Sequence, residues 1–151
     1  MLRWETEAEA RRSGVNTDAL SASRPAMLVE GELDALTMRQ EAGDLMAAVA
    51  TGATGGARRM HWIARLALCS AVLVAYDADT PGDTAAAFWL ERLENARRWR
   101  PYWGDANAMA QAGADVRAWV AAGVGQSALE DKRRDPDLTG FTDHFSAQVC
   151  P

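Results

Sequence analysis

Short apolar runs alternate along the chain with segments whose apolar residues recur at helical spacing. The runs at residues 26–29 and 71–76 are uninterrupted, which is typical of strands buried on both faces. Shorter strands are predicted at residues 45–50 and 99–103. The helices are predicted at residues 32–42, 58–68, 83–97, 107–111 and 116–122. This alternation predicts an α/β fold with about four mostly parallel strands flanked by helices.

Two of the helices directly follow the strongest strand predictions. Within the helix at residues 32–42, Leu33, Leu36 and Met38 recur at near-helical spacing, and a glycine follows as a C-terminal stop. Asp83 is a favoured N-cap for the helix predicted to end near residue 97, after a turn at residues 80–82. Both helices therefore begin close to the carboxyl end of a predicted strand.

Length and composition predict one domain with its own core. The chain has 151 residues, of which 48% are hydrophobic and 25% charged, as is ordinary for soluble globular proteins. We expect the domain at residues 24–122, an N-terminal extension at 1–23 and a C-terminal tail or linker at 123–151. No apolar run approaches the roughly 18 residues needed to span a membrane. The charged N-terminus lacks a signal-peptide core. The sequence thus predicts a cytoplasmic protein with no membrane partner.

Cysteine number and charge exclude some classes of protein. Cys69 and Cys150 cannot build a disulfide framework or a four-ligand zinc site, and Cys69 is expected in the core. The net charge of −5 is unusual for a protein that grips nucleic acid unaided. The arginines cluster at residues 58–59 and 97–100, which indicates either a local basic stripe or solvated helix faces.

Carboxylates follow the two strongest strand predictions. Glu30 and Asp34 come after the first strand, and Asp77 and Asp79 come after the second. Because ligands of open α/β sheets bind beyond the carboxyl ends of parallel strands, we expect these side chains at one edge of the sheet. Concentrated negative charge of this kind is typical of a cation site. Hard oxygen ligands and a phosphate-handling chemistry indicate Mg²⁺.

Each acidic cluster also has a simpler interpretation when it is taken alone. A carboxylate such as Asp34 in a first helical turn is favoured by the helix dipole. Residues 77–82 have ordinary turn composition. The two clusters together are more specific than either, because spacing, strand context and order must all agree.

A glycine-rich segment at residues 51–56 is a weaker candidate site. The backbone N–H groups of Thr51, Gly52, Gly55 and Gly56 could cradle a nucleotide phosphate. A plain strand-to-helix turn fits the same composition equally well, so both interpretations stay open.

Aromatic residues are the last group to be placed, since six tryptophans are many for this length. Three of them fit the core faces of predicted helices: Trp62, Trp89 and Trp119. Trp99, Tyr102 and Trp103 flank the second arginine cluster. There they either stack on nucleic-acid bases or, more ordinarily, pack in the core or in an interface.

Four segments together resemble a TOPRIM domain, the module shared by DnaG-type primases, topoisomerases and certain nucleases and recombination proteins. They are residues 28–36 (LVEGELDAL), 49–52 (VATG), 72–82 (VLVAYDADTPG) and 104–109 (GDANAM). The last segment is similar to the one after the final strand of primase-type domains, so the resemblance is closest to the DnaG-type, phage- and plasmid-like primases. It covers residues 24–122, about two thirds of the chain, and implies a Rossmann-like TOPRIM fold.

The resemblance implies a role for each carboxylate. Glu30 would be a metal ligand, as in primases, or a general acid/base, as in topoisomerases and nucleases. Asp77 and Asp79 would hold Mg²⁺, for which Mn²⁺ can substitute. Asp34 and Asp105 would ring the site. The implied catalytic residues are therefore Glu30, Asp34, Asp77 and Asp79, and the implied metal ligands are Glu30, Asp77, Asp79 and Asp105.

The implied reaction is nucleotidyl transfer in DNA replication. Two metal ions would stabilise the attacking 3′ oxygen and the leaving pyrophosphate. Asn107 stands where some primases carry an aspartate, so it can coordinate through its carbonyl oxygen but adds no charge for a second ion. Nucleic acid and nucleoside triphosphates are the implied partners. Because the sequence has neither the zinc module nor the basic subdomain of DnaG-type primases, a zinc-finger primase domain or a replicative helicase on another chain is also expected.

Two other functions fit the same residues. One is a small stand-alone TOPRIM nuclease with Glu30 as general acid/base, and the other is a non-catalytic module that binds a nucleotide or a partner. A topoisomerase fits poorly, because the chain has no room for the domain that presents a catalytic tyrosine.

Overall fold

A computed structural model describes residues 20–52, 58 and 60–134 of the protein, with side chains as far as residue 129. In these ranges β1 (Ala26–Val29), β2 (Ala47–Ala50), β3 (Val72–Val74) and β4 (Ala96–Arg98) form one parallel sheet in the order β2-β1-β3-β4. The helices are α1 (Glu32–Ala42), α2 (Met60–Ala67), α3 (Thr80–Leu90), α4 (Ala106–Gln111) and α5 (Val116–Arg134). The predicted α/β fold with four parallel strands is confirmed. None of these helices has both the length and the apolar character that a membrane crossing needs.

Both faces of the sheet are covered, which explains why the strands read as continuous apolar runs. Leu28, Val49 and Val74 point to the face packed by α2 and α3, where Trp62 and Trp89 are buried. The alternate strand residues point to the opposite face, which is packed by α1, α4 and α5. This second core contains Met27, Val29, Leu73, Met38, Met109 and Trp119. The core positions predicted for Trp62, Trp89, Trp119 and Cys69 are confirmed.

Helix α1 buries a different stripe from the one its leucines suggest. Leu33 and Leu36 are exposed, whereas Asp34, Met38 and Ala42 are buried. These three residues are four apart, so they share one face of the helix. Because that face contains a carboxylate and an alanine, its burial has no strong apolar signal in the sequence.

The N-cap of helix α3 lies four residues before Asp83, where the sequence predicted it, so that prediction is wrong. Asp79 is the N-cap, with an extended backbone (φ −131°), and its side chain accepts a hydrogen bond from the N–H of Gly82 at 2.7 Å. Residues 80–82 are therefore the first helical turn. Proline is tolerated there because its missing N–H would have no partner in the helix.

The last strand is also shifted from its predicted place at residues 99–103. It is β4, at Ala96–Arg98, and it pairs with β3 at the edge of the sheet. Helix α3 consequently ends at Leu90 instead of residue 97. The arginines of β4 are typical of an edge strand, whereas the aromatic residues that favoured the later position lie in the following loop.

Helix α5 continues well past residue 122, where the apolar pattern predicted its end. Gly123 lies within it, and a Cβ there would stand 2.8 Å from atoms of Leu73 and of Trp99. The glycine thus allows close packing of the helix against the sheet. Ser127, one turn further on, is buried and donates to the carbonyl oxygen of Gly123 at 3.0 Å. The division at residues 23/24 and 122/123 into extension, domain and tail stays a prediction.

Candidate active site at the carboxyl edge of the sheet

The five predicted carboxylates converge at the carboxyl ends of the central strands β1 and β3. Glu30 directly follows β1, and Asp77 follows β3 by three residues. Glu30, Asp105 and Asp79 all repel the Asp77 carboxylate, and Asp105 and Asp77 both repel that of Asp34. The adjacency of β1 and β3 at the centre of the sheet places these groups together, as the sequence predicts.

Asp34 is the most deeply buried of these acids, with only 8% of its surface exposed. Its Oδ1 accepts a hydrogen bond from the backbone N–H of Asn107 at 2.9 Å. The side-chain oxygen of Asn107 in turn accepts from the hydroxyl of Thr37 at 2.9 Å. Burial raises the pKa of Asp34 above its usual value, and the negative charges of Asp105 and Asp77 raise it further. Asn107 therefore joins α4 to α1.

Asp77 lies in the loop between β3 and α3, and Arg98 fixes the backbone of that loop. The guanidinium of Arg98 donates to the carbonyl oxygens of Val74 and Tyr76, both at 2.9 Å, and of Asp77 at 2.7 Å. Arg98 also pairs with Asp83 on α3 at 2.9 Å. Burial raises the pKa of Asp77, as do Glu30, Asp105 and Asp79, while Arg98 opposes this shift.

Asp79 and Asp105 each cap a helix with one carboxylate oxygen. Asp79 Oδ1 accepts from Gly82 N–H, and Asp105 Oδ1 accepts from the N–H of Ala108 at 2.6 Å. The loops that carry them are joined by a bond from the N–H of Ala78 to the carbonyl oxygen of Gly104 at 2.7 Å. The capping geometry holds both carboxylates at the same edge as Asp77.

A divalent cation fits the chemistry of these groups. Glu30 Oε1 is buried and has no hydrogen-bond partner among the described residues, and a bound cation would satisfy it. A cation would also relieve the mutual repulsion that, after burial, contributes to the raised pKa of Asp34 and of Asp77. Within the described ranges, no three His, Cys, Asp or Glu side chains are already set around one point. Mg²⁺ commonly needs only one or two carboxylates, with water and substrate phosphate completing its shell.

The glycine-rich segment is only partly described. The N–H groups of Thr51 and Gly52 donate to the carbonyl oxygens of Val29 and Glu30, at 2.9 and 3.1 Å, so both already have partners. Gly55 and Gly56 lie outside the described residues. The phosphate-binding role of this segment stays a prediction.

A buried hydrogen-bond chain lies beneath Glu30. The hydroxyl of Thr51 donates to the carbonyl oxygen of Val29 at 3.1 Å and lies 2.7 Å from the hydroxyl of Tyr76. That Tyr76 oxygen accepts from the indole N–H of Trp89 at 2.6 Å. The chain connects the carboxyl ends of β1 and β3 to α3.

The arginines of the two clusters make different contacts. Arg98 donates to backbone carbonyl oxygens of the segment that carries Asp77, and Arg100 pairs with Asp83 at 3.3 Å. Arg58 is exposed and stacks over the ring of Phe88, 4.6 Å from its centroid. Arg59 lies outside the described residues.

Sequence reasoning missed Arg98 and Thr37 as residues of the site. Arg98 was visible only as part of a basic cluster, because the carbonyl groups that it binds belong to a neighbouring strand. Thr37 was not singled out, since its partner Asn107 is 70 residues away in the sequence. Neither contact has a signal in local spacing.

The fold and the site together define a class: an α/β domain with a four-stranded parallel sheet and an acidic site at its carboxyl edge. Residues 27–110, more than half of the chain, match the Toprim-like family. The chain belongs to this family, and the predicted TOPRIM domain is confirmed. TOPRIM domains generally bind divalent metal ions. A comparison with curated proteins gives no match.

Solved structures of similar fold come from bacteriophage T7. The primase fragment of the bacteriophage T7 primase-helicase protein is 17% identical, with a TM-score of 0.49 over 64% of this chain and 42% of that one. The second is a chain from the bacteriophage T7 lagging-strand DNA polymerase interacting with primase domains of two gp4 subunits bound to an RNA/DNA hybrid and dTTP. It is 21% identical, with a TM-score of 0.53 over 64% of this chain and 52% of that one. This protein thus spans about half the length of the solved chains that it matches. The likeness to the second structure supports the assigned fold.

Proposed function

We propose that this protein is the Mg²⁺-binding catalytic domain of a primase-like protein, which joins nucleotides in DNA replication together with partner domains or chains. The observation that carries the proposal is the convergence of Glu30, Asp34, Asp77 and Asp105 at one sheet edge, with Glu30 Oε1 buried and unpartnered among the described residues. The order of the acidic motifs and the fold shared with phage primases support it. Such a function would be carried out in the cytoplasm.

The residues would divide the work of binding and orientation. Glu30, Asp77, Asp79 and Asp105 would hold the metal ion, which when bound neutralises charge on the phosphate oxygens of a nucleoside triphosphate. Asp79 and Asp105 each keep one oxygen for this purpose, because capping uses the other. Mn²⁺ would be accepted in place of Mg²⁺, since its ligands are the same hard oxygens.

Asp34 would support the metal ligands by orienting them and by adding negative charge, without being a ligand itself. Its contact with Asn107 orients α4, and with it Asp105, relative to α1. Its negative charge lies close enough to Asp77 and Asp105 to strengthen the attraction for a cation. Asn107 would hold this arrangement through its backbone N–H, while its side-chain oxygen accepts a hydrogen bond from Thr37 and keeps a second lone pair.

Metal binding can be tested by calorimetric titration of the protein with Mg²⁺ and Mn²⁺. The double variant Asp77→Asn with Asp79→Asn should abolish measurable binding. Glu91→Gln is the matched control, because Glu91 is an exposed acid at the opposite end of α3. Unchanged divalent affinity in the double variant would overturn the site assignment.

Primer synthesis tests the reaction itself. The isolated chain should make little or no product from a template and nucleoside triphosphates, because its net charge of −5 offers weak grip on nucleic acid. Addition of a zinc-finger primase domain or a replicative helicase partner should raise synthesis. Efficient template-directed synthesis by the chain alone would contradict the need for partners.

A second candidate function is metal-dependent cleavage of nucleic acid. It is favoured by the same Glu30 oxygen, unpartnered among the described residues, which would serve as the general acid/base. Glu30→Gln should then abolish cleavage while divalent binding is retained. Absence of cleavage of DNA and RNA in both Mg²⁺ and Mn²⁺ would exclude this function. Nucleotide binding without turnover of any kind would indicate the non-catalytic module.

A further inference from the structure

The loop between β4 and α4 exposes two aromatic side chains beside the acidic site. Tyr102 is 61% exposed and Trp103 is 47% exposed. Their ring centroids are 5.9 Å apart and their planes are inclined by 34°. Trp99, which begins this loop, instead packs inward against Trp119 at 6.0 Å. The loop thus carries one aromatic residue that packs into the core and two whose rings are largely exposed.

The backbone that carries the two rings is well anchored. Pro101 is buried, and the N–H of Tyr102 donates to Met109 Sδ at 3.5 Å. The Tyr102 and Trp119 rings make an edge-on contact, with their centroids 6.5 Å apart and their planes inclined by 68°. After Trp103, the carbonyl oxygen of Gly104 accepts from Ala78 N–H. The exposed rings are therefore presented from a fixed position.

The rings of Tyr102 and Trp103 belong to a loop that is joined directly to the acidic site. The next residue after Gly104 is Asp105, one of the converging carboxylates, and Ala78 stands between Asp77 and Asp79. The loop follows the carboxyl end of β4, so Tyr102 and Trp103 lie at the same edge of the sheet as the acids.

We propose that Tyr102 and Trp103 form a stacking surface for the bases of a single-stranded nucleic acid at the acidic site. The inference rests on the proposed function, which brings nucleic acid to this edge. The net charge of −5 and the local carboxylates repel phosphate groups. Binding therefore requires a contribution that does not depend on phosphate charge, and stacking on aromatic rings supplies one for any base.

The occupant is inferred from the character of this surface. Next to the two rings in the sequence are Arg100, the buried Pro101 and Gly104, so these neighbours add no exposed aliphatic residue that would form an apolar interface patch with them. A protein partner is accordingly the alternative that the experiment has to separate.

The test compares two single-stranded oligonucleotides of equal length, one of thymidines and one abasic, so that both carry the same phosphates. Fluorescence anisotropy should show tighter binding of the oligothymidine by the wild-type protein. Tyr102→Ala with Trp103→Ala should weaken oligothymidine binding about 5- to 150-fold, the range for one stacked base, and leave abasic binding unchanged.

Two further variants control for folding and for general loss of apolar surface. Tyr102→Phe with Trp103→Phe keeps an aromatic ring at both positions and should bind oligothymidine nearly as the wild type does. Leu68→Ala removes an exposed apolar side chain just after α2 and should change neither affinity. Thermal unfolding of each variant verifies that the fold is kept.

The inference is overturned if the alanine double variant binds both oligonucleotides as the wild type does, or if the wild type does not distinguish them. A change in oligomeric state or in capture of a protein partner, with oligothymidine affinity unaltered, would assign the rings to a protein interface. Repeating the titrations with EDTA separates the two proposals. Preference for bases should persist without metal, whereas failure of Mg²⁺ binding alone would count only against the proposed function.

Discussion

Arg98 donates from its guanidinium to the backbone carbonyl oxygen of Asp77 at 2.7 Å. Two further bonds from the same guanidinium reach Val74 and Tyr76, so one side chain fixes the path by which β3 leaves the sheet. The pairing with Asp83 adds the first part of α3 to this arrangement. The position of the Asp77 carboxylate thus depends on an edge-strand residue that does not need to touch a ligand.

Replacement of Arg98 should disturb both stability and metal binding. Arg98→Ala leaves three backbone oxygens without this donor, and hydrogen bonds from a charged group are worth about 1.5–3 kcal/mol each. These bonds are only partly buried, so water replaces much of the lost donation. We therefore expect a net loss of about 2–3 kcal/mol in the free energy of unfolding, measured in urea, together with weaker Mg²⁺ affinity. Arg98→Lys should recover only part of this, because an ammonium lacks the planar fork.

Arg92→Ala is the control for this experiment. Arg92 is exposed, stacks over Phe88 and pairs with Glu91 at the end of α3, away from the carboxylates. It should leave Mg²⁺ affinity unchanged. Equal losses of affinity in the Arg92 and Arg98 variants would contradict a specific role for Arg98.

Gly82 permits the close approach of α3 to the loop that carries Asp77. A Cβ on Gly82 would overlap the backbone carbonyl oxygen of Asp77. Gly82→Ala should therefore cost about 1–3 kcal/mol of stability, as overpacking does, and lower the divalent affinity by displacing Asp77. Urea unfolding and calorimetry measure the two effects.

Gly125→Ala provides the matched glycine control. Gly125 lies within α5, and a Cβ there would meet nothing within 4 Å. Because alanine is the better helix former, this substitution should stabilise the protein by up to about 1 kcal/mol. Destabilisation by both substitutions would mean that contact with Asp77 is not the cause.

The parts of the site that could be predicted depend on residues that lie close together in the sequence. Glu30 and Asp77 follow uninterrupted apolar runs, and such runs in an α/β pattern become central parallel strands. Their carboxyl ends must then meet at one edge. The order of the segments, together with Asp105, was enough for the family to be predicted and confirmed.

The parts that could not be predicted depend on contacts between distant segments. The start of α3 was placed at Asp83 because a proline and a glycine resemble a turn, yet Asp79 caps the helix and they form its first turn. The strand β4 is held by pairing with β3 and not by its own weak apolar character. Gly123 interrupts the apolar pattern of the helix in the sequence. Its reason is the close packing against Leu73 and Trp99, which only the structure shows.

Asp34 should make stability depend on pH in the direction opposite to an ordinary salt-bridged acid. Its pKa in the folded protein is raised above the usual 3.8, chiefly by burial. Between 3.8 and that raised value the folded state binds more protons than the unfolded state, so stability falls as pH rises. Asp34→Asn keeps an acceptor for Asn107 N–H and removes the charge. It should stabilise the metal-free protein at neutral pH, by an amount on the order of 1 kcal/mol, and have little effect below pH 3.8.

Asp44→Asn supplies a comparison of opposite sign. Arg117 holds the pKa of Asp44 at about 2, so the stabilisation is present above 3.8 and is lost as pH falls through about 2. This substitution should destabilise the protein at neutral pH. Thermal unfolding across the pH range distinguishes the two variants. A gain from Asp34→Asn that is equal at all pH values would exclude charge as its cause.

The hydroxyl of Tyr76 should be more important for stability than its size suggests. It accepts from the indole N–H of Trp89 and bonds with Thr51, all three residues being buried. Tyr76→Phe leaves the Trp89 N–H without its acceptor, which costs about 1–3 kcal/mol. Tyr102→Phe removes a hydroxyl from an exposed ring and should change stability by less than about 0.5 kcal/mol. Urea unfolding of both variants measures the difference.

Because Thr51 also binds the carbonyl oxygen of Val29, next to Glu30, the Tyr76 variant should bind Mg²⁺ more weakly as well. Unchanged stability and affinity in Tyr76→Phe would show that the chain beneath Glu30 does not support the site.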